Sequence, residues 1–158
     1  MIGNIGKVVS KIEVSKGSRL PDQINMESKR ISKIVVNAKK NRIVITMTGY
    51  ICEKEMEMIY RDLIVGVPKL EPGFDVLMDL TECRLAHISG VPIFKEMMEF
   101  LLGRHVERVV GVIGNSRLIY NQLSKIADNI KGYSPIYVST LKEAEELLSS
   151  ESDSFKFS

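Results

Sequence analysis

The stretch from Asp79 to Pro92 reads DLTECRLAHISGVP and gathers Asp79, Cys83, His87 and Ser89, residue types that can do chemistry, into one short segment. At its centre stands His87-Ile88-Ser89-Gly90. A serine just ahead of a helix has two physical uses. Its hydroxyl can accept a hydrogen bond from an amide of the first turn, a cap worth roughly 1 kcal/mol. It can also carry a phosphate, because a helix amino-terminus offers unpaired N–H groups and partial positive charge to a group of about −2. The two uses are compatible, since a capping serine stays available for modification. His87, two positions away, has the pKa range of a general base. Nucleophilic catalysis further requires a group that orients the base and an oxyanion site. The spacing supplies neither, so no catalytic residue is expected and His87 reads as a surface-loop histidine.

Other reactive groups are sparse. Two cysteines, Cys52 and Cys83, lack CxxC spacing, and with only His87 and His105 as imidazoles they make no zinc set. Both are expected to be buried, reduced thiols; Glu82 and Arg84 beside Cys83 give no net positive field to stabilise a thiolate. In GVIGNSR at 111–117, Gly114, Asn115 and Ser116 join a strand to a helix and can cradle an anion. The segment lacks the Gly and Lys spacing of a P-loop and the third glycine of a dinucleotide fingerprint. A tight turn with a helix cap is the competing reading.

The elements that must position these groups follow from period. ISKIVVNA (31–38) and RIVITMTG (42–49), rich in Val, Ile and Thr around KKN, predict an antiparallel hairpin. Met56, Ile59, Tyr60, Leu63 and Val67 then fall on one helical face that Pro68 ends. DVLMDL (75–80) is a near-continuous apolar run, as in a strand buried on both faces. Ile93, Met97, Phe100 and Leu101 predict a second helix starting near Ser89 or Gly90, with Pro92 in its first turn. ERVVGVIG (107–114) predicts a strand, and Ile119, Leu123, Ile126 and Ile130 mark a third helix. SPIYVS (134–139) predicts the last strand, and Thr140 with Glu143 forms a capping box opening a fourth helix along Leu141, Ala144, Leu147 and Leu148. Strands joined through helices run parallel. The expected fold is a single α/β domain with a mixed four- to five-stranded sheet: an antiparallel hairpin first, parallel strands after.

Composition bounds the function. A chain of 158 residues supports one compact domain, and no apolar run approaches the ~20 residues of a membrane span. The first twenty residues interrupt every apolar pair with Lys, Glu or Ser, so no secretory signal is read and a cytoplasmic location is expected. The net charge of +2 hides an asymmetry. Residues 1–42 hold ten Lys/Arg against three Asp/Glu, and the remainder twelve against seventeen. That basic segment is dispersed and free of aromatics, which argues against nucleic acid. Residues 1–30 read either as a solvated arm or as an extra strand, since Val8, Ser10, Ile12 and Val14 alternate with charged residues. Residues 150–158 are expected to fray.

With these elements in order, the chain resembles the STAS domain, the fold of bacterial anti-sigma-factor antagonists. In that family a strand ending Asp-Leu-Ser or Asp-Leu-Thr is followed by Asp-Ser-Ser-Gly, whose second serine is the phosphoacceptor. Asp79, Leu80 and Thr81 match the first part, Ser89 and Gly90 the second, and Gly49 the family's strand-ending glycine. His87 and Ile88 replace the aspartate and the first serine. The resemblance covers roughly residues 31–149. It implies a non-enzymatic regulatory module with Ser89 as phosphoacceptor and Asp79, Thr81, His87, Ile88, Ser89 and Gly90 as the partner-binding loop. The implied partner is an anti-sigma-type serine kinase, which brings its own ATP, or a switch protein; no cofactor or metal is implied. Small domains of the same fold that bind apolar or lipid-like ligands are the alternative. An exposed edge strand further permits a homodimer.

Overall fold

A computed structural model describes residues 32–86 and 88–156. The expected basic arm or extra strand at 1–30 and the expected role of His87 lie outside the described residues. The first hairpin forms as its alternation predicts: β1 (Lys33–Asn37) pairs antiparallel with β2 (Arg42–Thr46), Lys33 opposite Thr46 and Asn37 opposite Arg42. The turn between them uses Asn41 at φ 53, a residue type that tolerates left-handed backbone.

The chain then departs from the expectation that one strand runs to Gly49. That glycine has φ 71, open to it because it lacks a Cβ, and it starts a separate short strand, β3 (Gly49–Ile51). Helix α1 (Glu53–Gly66) follows and ends in a 3-10 turn, Val67–Lys69, which contains Pro68. Next come β4 (Asp75–Asp79), β5 (Cys83–Ala86), a 3-10 turn at Ile88–Gly90 and α2 (Val91–Gly103). The remaining elements are β6 (Arg108–Val112), α3 (Arg117–Ala127), β7 (Ile136–Val138) and α4 (Leu141–Lys156). No glycine or proline interrupts 141–156, and α4 accordingly runs past residue 149, where the sequence places the end of the domain.

The main sheet has the order β1-β2-β4-β6-β7, with β2, β4, β6 and β7 mutually parallel. It is a mixed five-stranded sheet of the expected class. The second sheet, β3 paired parallel with β5, has no counterpart in the sequence reading. Each side of the main sheet has its own core. Ile43, Ile45, Val76, Met78 and Val109 pack with Met56, Ile59 and Leu63 of α1, Phe94, Met97, Met98 and Leu101 of α2, and Ile119, Leu123 and Ile126 of α3. The alternate residues Leu77, Val110 and Val112 pack on Ala144 and Leu148 of α4. Asp75–Asp79 is thus buried from both sides, which is why its sequence is a continuous apolar run rather than an alternating one.

At the amino edge of the sheet, Arg42, Asp75 and Arg108 stand in one register row. Arg108 donates to both Asp75 oxygens at 3.0 and 2.8 Å, and Arg42 reaches Glu145 of α4 at 2.7 Å. This charged row fastens α4 to the sheet. At the start of α4 the expected capping box is in place: Glu143 N–H donates to Thr140 Oγ1 at 3.1 Å, and Thr140 N–H to Glu143 Oε1 at 3.2 Å.

Candidate partner-binding site

The parallel strands all finish at one edge. Thr46, Asp79, Val112 and Val138 lie in a row across it, so the segments that leave β2, β4 and β6 emerge together there. In open α/β sheets this carboxyl edge is where ligands and partners are met.

Asp79 and Thr81 are brought together. Asp79 Oδ1 accepts from Thr81 N–H at 3.2 Å and from Thr81 Oγ1 at 2.8 Å, an Asx turn that stops β4 and turns the chain into β5. Both groups therefore have a local structural task. The rest of the expected loop stands beyond β5, whose four residues span about 13 Å. There, Ile88–Gly90 makes the 3-10 turn. Ile88 is 77% exposed, Ser89 is half-buried and Gly90 is buried. A Cβ built on Gly90 meets Met56 and the Cys52 carbonyl at ordinary contact distances of 3.7 and 3.8 Å. The loop thus divides into a structural turn at 79–81 and a displayed turn at 88–90.

Ser89 does not cap α2. The cap position belongs to Gly90, with no side-chain hydrogen bond, and Pro92 occupies the first turn. A proline there removes an amide that would have needed a partner, so the helix starts without a capping hydroxyl. The cysteine expectation is likewise corrected for Cys52, which is exposed just before α1, while Cys83 is partly buried. Cys52 holds the extended residue between β3 and α1, where the chain runs over the surface.

Gly114, Asn115 and Ser116 follow β6 at the same edge. Gly114 has φ 62, and Ser116 Oγ accepts from Ile119 N–H at 3.1 Å. The serine caps α3, and the loop reads as a turn and cap. Beneath the 88–90 turn lies an apolar cavity of about 20 Å³, lined in part by Met47, Met56, Cys83, Val91, Phe94 and Leu123. That volume holds about one water molecule and leaves no room for a lipid-like ligand.

Three surface residues at this edge escaped the sequence reading. Tyr50 on β3 is 60% exposed and Leu118 at the start of α3 is 59% exposed; Arg84 on β5 stacks on the Tyr50 ring, 5.9 Å from its centroid. Leu118 could have been found as an apolar residue off the stripe of Ile119, Leu123 and Ile126. Tyr50 carried no such signal, because its strand was not foreseen.

No protein family and no curated protein matches the chain by sequence. Solved structures do match its fold. The anti-sigma factor antagonist SpoIIAA in its unphosphorylated form aligns with a TM-score of 0.55 at 13% identity, over 75% of this chain and 97% of that one. The phosphorylated form of the Bacillus cell fate determinant SpoIIAA aligns at 0.53 and 12%, over 74% and 98%. An uncharacterized DUF3478 protein with a SpoIIAA-like fold from Shewanella loihica PV-4 aligns at 0.57 and 13%, over 74% and 91%. The chain has a STAS, SpoIIAA-like fold.

Proposed function

We propose that this SpoIIAA-like chain is a regulatory protein-binding module rather than an enzyme, docking through the carboxyl edge of its sheet and switched by phosphorylation of Ser89. The observation that carries this reading is the Ile88–Gly90 turn: a bare apolar side chain and a serine side by side, immediately ahead of a 13-residue helix. Ile88 gives a partner an anchor whose burial removes apolar area from water. A phosphate on the next residue adds about −2 charge beside that anchor. Burying the anchor would then require desolvating the phosphate or pairing it, so modification changes affinity without unfolding the domain.

The partner in this reading is a serine kinase of the anti-sigma type or a switch protein, met in the cytoplasm, with any ATP brought by the kinase. The fold likeness to SpoIIAA, a protein seen both phosphorylated and not, supports the assignment. The cavity beneath the 88–90 turn is too small to serve the ligand-carrier alternative there.

The test is affinity capture from an extract of the source cells with wild type, Ile88→Asp, Ser89→Glu and, as a remote control in the exposed β1–β2 turn, Lys39→Glu. The reading predicts one set of partners held by wild type and Lys39→Glu and lost from Ile88→Asp and Ser89→Glu. Partners retained equally by all four proteins would sink it.

A further inference from the structure

The outer face of the β3–β5 ribbon carries a feature that a serine switch does not need. Ile51 and Cys83 of the two strands line the apolar cavity, whereas Tyr50 and Arg84 are exposed on the ribbon and in contact with each other. Among the described residues Arg84 has no carboxylate within ion-pair distance; the ion pairs there are Arg42 with Glu145 and Arg108 with Asp75. Its guanidinium is held against an aromatic ring, with planar N–H donors left over for a second group. Just beyond the end of β5 stands Ile88, exposed.

We propose that Tyr50, Arg84 and Ile88 together recognise a protein segment presenting a carboxylate next to a bulky apolar side chain. The guanidinium takes the carboxylate in a two-pronged pair, and Ile88 with the Tyr50 ring receives the apolar group. Tyrosine and arginine dominate the binding energy of many interfaces, and an arginine resting on a ring loses less freedom when it pairs. Glu82, exposed near the start of the ribbon, repels a partner with acids spread along this face and selects one with a single carboxylate. The inference rests on the reading that this end of the molecule binds a protein, and adds the chemistry of that protein.

Panning the full-length chain against a phage-displayed library of random peptides tests it. The enriched peptides are expected to share an Asp or Glu beside Leu, Ile or Phe. Synthetic copies should bind Arg84→Glu at least about tenfold more weakly than wild type, Arg84→Lys with a smaller loss, and Lys39→Glu unchanged. Enriched peptides lacking an acid, or binding Arg84→Glu as well as wild type while Ile88→Asp abolishes binding, would overturn the acidic-partner proposal and leave the protein-binding surface standing. Peptides indifferent to both substitutions, or no enrichment at all, would overturn both.

Discussion

Ser89 and Ile88 illustrate how much a single position depends on its neighbours. The sequence placed Ser89 at the start of a helix, and the structure keeps it there but gives the cap position to Gly90. A serine that does not cap α2 can be altered without opening that helix. Ser89→Ala spares the α2 cap and is expected to lower the thermal midpoint by no more than about 5 °C, the cost of one hydrogen bond; a larger drop in a melting scan would show that the hydroxyl holds the turn. A second residue makes an opposite case. Tyr133 is buried and its hydroxyl has no hydrogen-bond partner among the described residues. Burial raises its pKa well above the usual 10.0, with Tyr137 adding to the shift. Because the folded value is raised, the stability that Tyr133 contributes is complete below the unfolded value of 10.0 and is lost as pH climbs beyond it. Tyr133→Phe should thus match or exceed wild-type stability at neutral pH and lose less on the alkaline side, as urea melts at rising pH would report. Equal alkaline losses in both proteins would refute this.

At the scale of elements, the main strands and all four helices were legible because their patterns are strong. Ile119, Leu123, Ile126 and Ile130 predicted a stripe, and all four are buried. The ribbon of β3 and β5 was not legible. Gly49–Ile51 and Cys83–Ala86 are three and four residues long, too short for a period to emerge, and they pair across more than thirty residues of chain. The same reason hid Tyr50 and Arg84. Close packing between elements was also invisible in the sequence. A Cβ on Gly111 of β6 would lie 3.0 Å from Tyr137 Cδ1, and the edge-to-face contact of Tyr137 with Tyr120, at 5.5 Å, restricts how far the ring can yield. Gly111→Ala should cost about 1–3 kcal/mol by overpacking, and denaturant titration would detect it. The charged row at the amino edge yields a larger effect. Asp75→Ala takes from the part-buried Arg108 the carboxylate it pairs with, an expected loss of about 3–5 kcal/mol. A midpoint close to wild type would mean that the row contributes nothing.

Among the described residues, the sheet domain is polarised. Its amino edge is closed by ion pairs and by the β1–β2 turn, and its carboxyl edge displays Tyr50, Ile88 and Leu118. The lateral edge at β7 is blunted. Pro135 has no N–H to offer, Ser139 N–H donates to Glu143 Oε1 at 3.0 Å, and the Val138 carbonyl accepts from Ile113. By alternation only Tyr137 directs an amide and a carbonyl outward along this three-residue strand. A homodimer built on β7 is accordingly disfavoured, and hydrogen exchange at the Tyr137 amide should not change with protein concentration. Protection of that amide at high concentration would contradict this.

The measurement that tests the central claim most directly is intact-mass spectrometry of the chain isolated from its own cells, with fragment mapping of any adduct of about 80 Da. A phosphate on Ser89, with loss of the captured partners when it is present, is the expected result. A phosphate on another hydroxyl, or a chain that binds its partners with Ser89 always bare, would contradict it.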